Sequence, residues 1–473
     1  MSWGVNRVGT WMPGWVTGVV GGLVRGARRM LPDSRHPARV VVAGFAVTIL
    51  IGTVLLMLPV ASANGQLTSW VTALFTATSA VCVTGLIVVD TPAYWSTFGE
   101  LVVLGLIQVG GLGIMTLASL LGMVVTRRMR LRTQRSAQTE TKSLVLGEVR
   151  RVVVGVIVLS LIMEIVTAAI LSLRLVNAYG YSWAHGTYLG VFHAVSAFNN
   201  AGFALYPDSL VRYATDGWIC LPIAVAFVLG GLGFPVLFEL TRHLRRVQRR
   251  WSLHARITLA GYGLIALVGV VAITGLEWNN PATLGAMDTD GRLLTGLFHG
   301  LTPRTAGFNT LDVGEMQPAT LLVTDVLMFI GGGSAGTAGG IKVTTFALLA
   351  FVILAEARGE PQVHIAGRRL PTEVVRQALT VVLVAVGMVF TATLVLLVLT
   401  RFGLDAVLFE SVSAFGTVGL STGITGELPA VGHLVLVALM FTGRIGPITM
   451  ASALALRERG RRYDLPEERP IVG

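Results

Sequence analysis

Apolar runs long enough to cross about 30 Å of hydrocarbon fall at 38–60, 97–126, 150–177, 216–241, 254–276, 318–355, 374–400 and 430–456. After every odd-numbered run comes a shorter, moderately apolar stretch that ends in glycine-bearing sequence. These short stretches predict helices that enter the membrane and stop partway. They also repeat. Each carries a phenylalanine (Phe75, Phe192, Phe298, Phe409) and, one helical turn later on the same face, a hydroxyl residue (Ser79, Ser196, Thr302, Ser413). A glycine followed by a large apolar residue comes next: Gly85-Leu86, Gly202-Phe203, Gly307-Phe308 and Gly419-Leu420. The third copy is one residue shorter between hydroxyl and glycine.

With a period of about 105–117 residues, the pattern reads as an internal repeat. The expected fold is an all-α polytopic membrane protein of four M1–pore loop–M2 repeats. Eight transmembrane helices and four re-entrant pore helices would surround a central pore. The repeats occupy 38–126, 150–241, 254–355 and 374–456, joined by basic connections at 127–149, 242–253 and 356–373. Residues 1–37 read as a cytoplasmic or interfacial segment, whose apolar part is too short to span, and 457–473 as a cytoplasmic tail. The second long helices repeat as well: Gly110-Gly-Leu-Gly113, Gly230-Gly-Leu-Gly233 and Gly443-Arg-Ile-Gly446 share a frame.

Composition supports the same class. Of 473 residues 53% are hydrophobic and 13% charged, against roughly a quarter charged in soluble domains. The net charge of +11 does not point to nucleic acid, because its basic residues sit in short clusters between apolar runs, on alternate connections. Acids such as Asp90, Asp208 and Asp312 lie on the others. That positive-inside pattern places both termini in the cytoplasm of a multi-pass protein of the cell membrane. The two cysteines, Cys82 and Cys220, imply neither a disulfide framework nor a zinc site.

A helix stopping at the bilayer centre turns the partial negative charge of its C-terminal end towards that point, which favours a cation. The extended residues beyond it are tolerable at depth only where they line a watery cavity. There their carbonyls can replace an ion's hydration shell. Glycine at each crux permits the backbone conformation and leaves no side chain to block the axis.

At Val81-Cys-Val-Thr-Gly-Leu86, Asn199-Asn-Ala-Gly-Phe203, Arg304-Thr-Ala-Gly-Phe-Asn309 and Thr417-Val-Gly-Leu-Ser421 the chain resembles the Trk/Ktr/HKT superfamily of potassium transporters. It is most similar to the bacterial Ktr-type membrane subunit, over about residues 38–458. The resemblance implies K+ as the transported ion and Na+ as a candidate activator. It implies a filter built at Gly85, Gly202, Gly307 and Gly419, with ion sites on the carbonyls of Val83 and Thr84, Asn200 and Ala201, Thr305 and Ala306, and Thr417 and Val418. It further implies a homodimer in the lipid bilayer and a cytoplasmic ring of nucleotide-binding regulatory subunits, so that nucleotide acts only through the partner. Thr302-Pro303 departs from the family's usual serine and non-proline residue, which puts the third loop's geometry in question.

Two features break the fourfold pattern. The run 318–355 is too long for one ordinary span, and its centre cannot hold a helix: Gly331, Gly332, Gly333, Ser334, Ala335, Gly336, Thr337, Ala338, Gly339 and Gly340. Two half-helices joined by an intramembrane loop are expected. The resemblance implies that the loop is a gate; a packing break without motion is the alternative. Arg444 is a charge within an apolar run, costing on the order of 3 kcal/mol at mid-membrane. It reads as a cation-repelling or gating residue on the pore, or else as a structural ion-pair partner of Glu164. His193 and His299 read as core residues rather than metal ligands. Glu410 and Asp405 would add negative field at the mouth or satisfy the fourth loop.

No protease, nucleophile-elbow or paired-carboxylate motif supports an enzyme. A sodium- or proton-driven symporter remains the alternative within transport, since broken helices suit that class too. A regulatory subunit with a dead pore is the alternative outside it.

Overall fold

The computed structural model describes residues 37–113, 141–246, 250–360 and 362–446. The expectations for residues 1–36, for 114–140 (the end of the first repeat and the basic stretch) and for 447–473 (the end of the fourth repeat and the tail) lie outside the described residues. In chain order the helices are α1 (Pro37–Met57), α2 (Trp70–Val81), α3 (Thr97–Gly113), α4 (Thr141–Tyr179), α5 (Trp183–Phe198), α6 (Gly217–Leu232) and α7 (Phe234–Leu244). They continue with α8 (Leu253–Glu277), α9 (Thr289–Leu301), α10 (Pro318–Phe329), α11 (Val343–Ala357), α12 (Thr372–Leu399), α13 (Leu404–Gly416) and α14 (Ala430–Ile445). Among the described residues the fold departs from all-α in a two-stranded hairpin, His364–Ile365 with Arg368–Arg369, within the connection 356–373, and in two isolated bridges, Ser62 with Trp95 and Ile330 with Ile341.

Among the described residues, four helical stretches are long and apolar enough to cross a bilayer: Arg39–Met57, Val153–Tyr179, Leu253–Glu277 and Thr372–Leu399. Large apolar side chains along them point outward, among them Leu50, Val54, Ile165, Leu267, Val271, Phe390 and Val398. An apolar outer belt of this kind needs lipid or partner protein to cover it. Each of α1, α4, α8 and α12 packs on the short helix that follows it, α2, α5, α9 or α13. Those short helices have 12, 16, 13 and 13 residues, about 18–24 Å at 1.5 Å per residue, less than a hydrocarbon core. Three begin at a side-chain cap: Ser69 accepts from Thr72 N–H, Ser182 from His185 N–H and Asp288 from Gly291 N–H.

The chain also closes on itself. Helix α14 packs back onto α2, α10 onto α13, and α6 onto both α5 and α9. The four repeated phenylalanines, Phe75, Phe192, Phe298 and Phe409, are all fully buried in this assembly.

In two of the expected pairs the second member is less regular than its apolar run suggests. The run 216–241 is not one span: α6 and α7 meet at 106°. The break is Gly233, at φ +92°, where a side chain would also strike Ser334 O. The run 318–355 is the expected pair of half-helices, α10 and α11, with residues 330–342 between them. Helix α4 begins at Thr141, inside the stretch expected as the loop 127–149.

Candidate functional site: a glycine ring and the loop behind it

The short helices end in a common way. At the end of α2, Val83 N–H donates to Ala80 O (3.1 Å) and Thr84 N–H to Ser79 O (2.7 Å). The same pair closes α5 through Asn200 and Ala201 (3.0 and 2.7 Å) and α13 through Thr417 and Val418 (3.2 and 2.9 Å). This is the Schellman termination, which normally has glycine in its left-handed position. Here that position holds Val83 (φ 55°), Asn200 (φ 59°) and Thr417 (φ 49°). The third copy uses a turn one residue tighter, Ala306 N–H to Thr302 O (3.0 Å), with Thr305 at φ 67°. Pro303, which has no N–H to give, sits inside that turn. The turn keeps its left-handed residue.

Each chain then runs through a second left-handed residue, Gly85, Gly202, Gly307 or Gly419 (φ 91°, 69°, 77° and 96°). These glycines touch in a cycle. A side chain on Gly85 would strike Ala201 O; on Gly202, Ala306 O; on Gly307, Val418 O; and on Gly419, Thr84 O. The four carbonyls that precede the glycines therefore stand in one closed ring. The hydroxyl residues hold it: Gly85 and Gly419 N–H donate to Ser79 and Ser413 Oγ (both 3.1 Å). Ser196 and Thr302 donate to Phe203 and Phe308 O (2.8 and 2.6 Å). All eight expected ion-site residues, Val83, Thr84, Asn200, Ala201, Thr305, Ala306, Thr417 and Val418, are fully buried.

On one side the four glycines floor a cavity of about 510 Å³, whose walls include Asp90, Asp208 and Asp312. Burial raises the Asp90 carboxyl above its ordinary value. Residues after the glycines line this vestibule, while Asn200 and Thr417, two residues before a glycine, meet the loop 330–342.

That loop is tied down along its length. Gly331 N–H donates to Ile341 O (2.8 Å) and Val343 N–H to Gly332 O (3.0 Å). Gly333 and Thr337 N–H reach Gly231 and Gly230 O on α6 (2.8 and 3.2 Å), and Phe234 N–H at the start of α7 reaches Ala335 O (3.3 Å). Ser334 shares a hydrogen bond with Thr344 (3.1 Å). Gly339 and Gly340 lie against Thr417 and Gly416 at the end of α13. Lys342 Nζ donates to Ala338 O (2.6 Å).

Arg444 is buried and donates to Thr337 O on this loop and to Gly110 O (3.3 Å). Glu164 is engaged elsewhere, by Gln108 Nε2 (3.0 Å) and Asn199 Nδ2 (3.2 Å). The ion pair between Arg444 and Glu164 is thus not formed. The first glycine of each repeated Gly-x-x-Gly frame packs on the carbonyl that ends a short helix: Gly110 on Val81 O, Gly230 on Phe198 O, Gly443 on Phe415 O.

The remaining candidates are accounted for locally. His193 Nε2 accepts from Leu205 N–H (3.3 Å), which leaves Nδ1 to donate to Leu189 O (2.8 Å). His299 is buried, with no hydrogen-bond partner for its ring among the described residues. Glu410 ties the chain beyond Gly419, accepting from Ser421 (2.6 Å), Thr422 N–H (2.9 Å) and Thr425 (2.6 Å). Asp405 is exposed at the start of α13. Sequence reasoning missed Arg304. Its guanidinium is fully buried, has no hydrogen-bond partner among the described residues, and stands 4.7 Å over the Tyr262 ring. It also missed the Lys342 contact and the hydrogen bond from Thr337 to Asn200. Nothing in the pattern of apolar residues signals these long-range pairs.

Lipid-length helices around a buried ring of backbone carbonyls define an integral membrane protein of the transport class. The chain matches the TrkH family, cation transport proteins, over residues 13–460, and it belongs to that family. It is 41% identical to Ktr system potassium uptake protein B of Bacillus subtilis over 90% of this chain and 95% of that one. With Ktr system potassium uptake protein B of Vibrio alginolyticus it shares 38% identity over 92% and 94%. Its fold is similar to the crystal structure of the potassium transporter TrkH from Vibrio parahaemolyticus. That match has a TM-score of 0.69 at 18% identity and covers 93% of this chain and 91% of that one.

Proposed function

We propose that the protein takes up K+ across the cell membrane through a channel-like pore, with the glycine ring as its selectivity filter. The observation that carries this reading is the closed cycle of Thr84, Ala201, Ala306 and Val418 carbonyls against Gly419, Gly85, Gly202 and Gly307. Four oxygens on one axis, with four helix C-terminal ends behind them, suit a desolvated monovalent cation. The names of the two Ktr relatives support potassium as that cation.

In this reading the chain forms four M1–pore loop–M2 repeats, with M2 broken in the second and third. The vestibule with Asp90, Asp208 and Asp312 faces outward and gathers cations. Both termini lie in the cytoplasm. Residues 331–340 close the path behind the filter, held by Arg444 and Lys342, and their displacement opens it. The membrane subunit works as a homodimer beneath a nucleotide-binding cytoplasmic ring, and Na+ acts as an activator at most.

Flux into liposomes tests the reading against a symporter. The purified protein is expected to carry K+ down a potassium gradient alone. K+ entry that requires an imposed sodium or proton gradient would favour the symporter instead.

A further inference from the structure

One hydrogen bond joins the loop to the ring. Thr337 Oγ1 donates to Asn200 Oδ1 at 2.7 Å, and both residues are fully buried. Asn200 occupies the left-handed position two residues before Gly202. Its Nδ2 reaches Arg304 O, at the threshold of the third loop, at 3.5 Å. A carbonyl can only accept, so Nδ2 faces Arg304 and Oδ1 faces Thr337. A side-chain carbon on Gly230 would stand 2.8 Å from Asn200 Oδ1 and 2.9 Å from Thr337 Oγ1, so α6 walls off this bond. Thr337 is fixed at its other two polar groups, by Gly230 O through its N–H (3.2 Å) and by Arg444 at its carbonyl. A single residue of the loop therefore touches the second ring segment directly and the third through one amide.

We infer that the Thr337–Asn200 hydrogen bond makes ion preference depend on the position of the loop, with Asn200 and Thr337 as positioning residues. The inference rests on the filter and gate assignments above. While the loop is seated, the Asn200 amide is held at both ends and fixes the backbone at Asn200, Ala201 and Thr305. When the loop leaves, Oδ1 becomes a buried acceptor without a partner, which is unfavourable. The amide then reorients, and the second and third ring segments lose their common brace. Carbonyls free to move inward accommodate a smaller ion, so the loop-displaced protein discriminates less between K+ and Na+. Linkage makes the effect reciprocal: an ion that fits the braced ring must also hold the loop in place.

The test uses the full-length protein and reads the ratio of K+ to Na+ affinity by competition for equilibrium ion binding, in the state in which the loop is seated and the bond is made. Thr337→Val, which keeps shape and removes the hydroxyl, is expected to lower the ratio about tenfold, the scale of one hydrogen bond. Thr337→Ser, which restores the donor, is expected to restore the ratio. A T337V protein with the wild-type ratio would overturn the inference and leave Thr337 as a simple latch. Gly85→Ser is measured alongside: an unchanged ratio there would mean the filter assignment itself has failed. A wild-type measurement covers the case in which T337V does not fold. Amide hydrogen exchange over residues 331–340 is expected to be slower in K+ than in Na+ or choline, and equal exchange in all three would refute the coupling.

Discussion

Val83, Thr305 and Thr417 are β-branched residues in the left-handed region. For such residues that conformation is disfavoured by roughly 1–2 kcal/mol each. Strain of this kind survives only where surrounding structure over-determines it, and it gathers at functional sites. Here it sets the backbone two residues ahead of each glycine, from where the chain can present its next carbonyl to the ring. A second residue-scale feature is the buried cation Arg304, whose visible partner is the face of Tyr262. Cation–π contact in a desolvated setting contributes about 2 kcal/mol. Tyr262→Leu should therefore destabilise the protein by about that amount, whereas Tyr262→Phe should retain most of the stability. Thermal unfolding in detergent with both variants checks this. A third feature is Asp90 in the vestibule. Burial holds its carboxyl above the ordinary value, so acidification neutralises it sooner than it would a free aspartate. K+ uptake at subsaturating K+ should fall as external pH drops through that raised value. Asp90→Asn should show the lower uptake at all pH values and lose this component of the pH profile.

At the scale of elements, the broken helices carry the asymmetry. Arg444 bridges the loop, at Thr337 O, and α3, at Gly110 O. Arg444→Gln should release the loop and raise K+ flux several-fold without any regulator. Deletion within Gly333–Gly340 should do the same, and stopped-flow flux from liposomes measures both. How far these elements were readable in the sequence depends on range. The half-helices α10 and α11 were legible, because the glycines of 331–340 cannot sustain a helix. The break between α6 and α7 was not, because the run 216–241 is continuously apolar and Gly233 reads as a packing glycine until its φ of +92° is seen. The repeated hydroxyl residue was visible as a pattern, but its task of fixing the chain beyond each glycine was not. The shorter spacing from Thr302 to Gly307 is matched by a third turn one residue tighter, with Pro303 inside it. The sequence spacing could not signal that Thr305 and Gly307 would still meet their places in the ring, since that is decided by neighbours more than a hundred residues away.

For the whole molecule, the fourfold pattern of short stretches foretold the closed arrangement better than any single motif did. Four long helices each pack on a short one, α14 returns to α2, and the long helices carry large exposed apolar side chains on their outer faces. Of the two readings of Arg444, the ion pair with Glu164 is the one that is not formed. Backbone carbonyls of Thr337 and Gly110 accept from the arginine, and the side-chain amides of Gln108 and Asn199 donate to Glu164. The central claim is that the four loops form one filter in which each glycine is equivalent. The most direct measurement is the K+ to Na+ permeability ratio of four separate liposome preparations carrying Gly85→Ser, Gly202→Ser, Gly307→Ser or Gly419→Ser. The ring predicts that every one of the four lowers the ratio by at least tenfold, because each new side chain meets the next loop's carbonyl. A wild-type ratio in any folded member of the set would contradict a single shared filter.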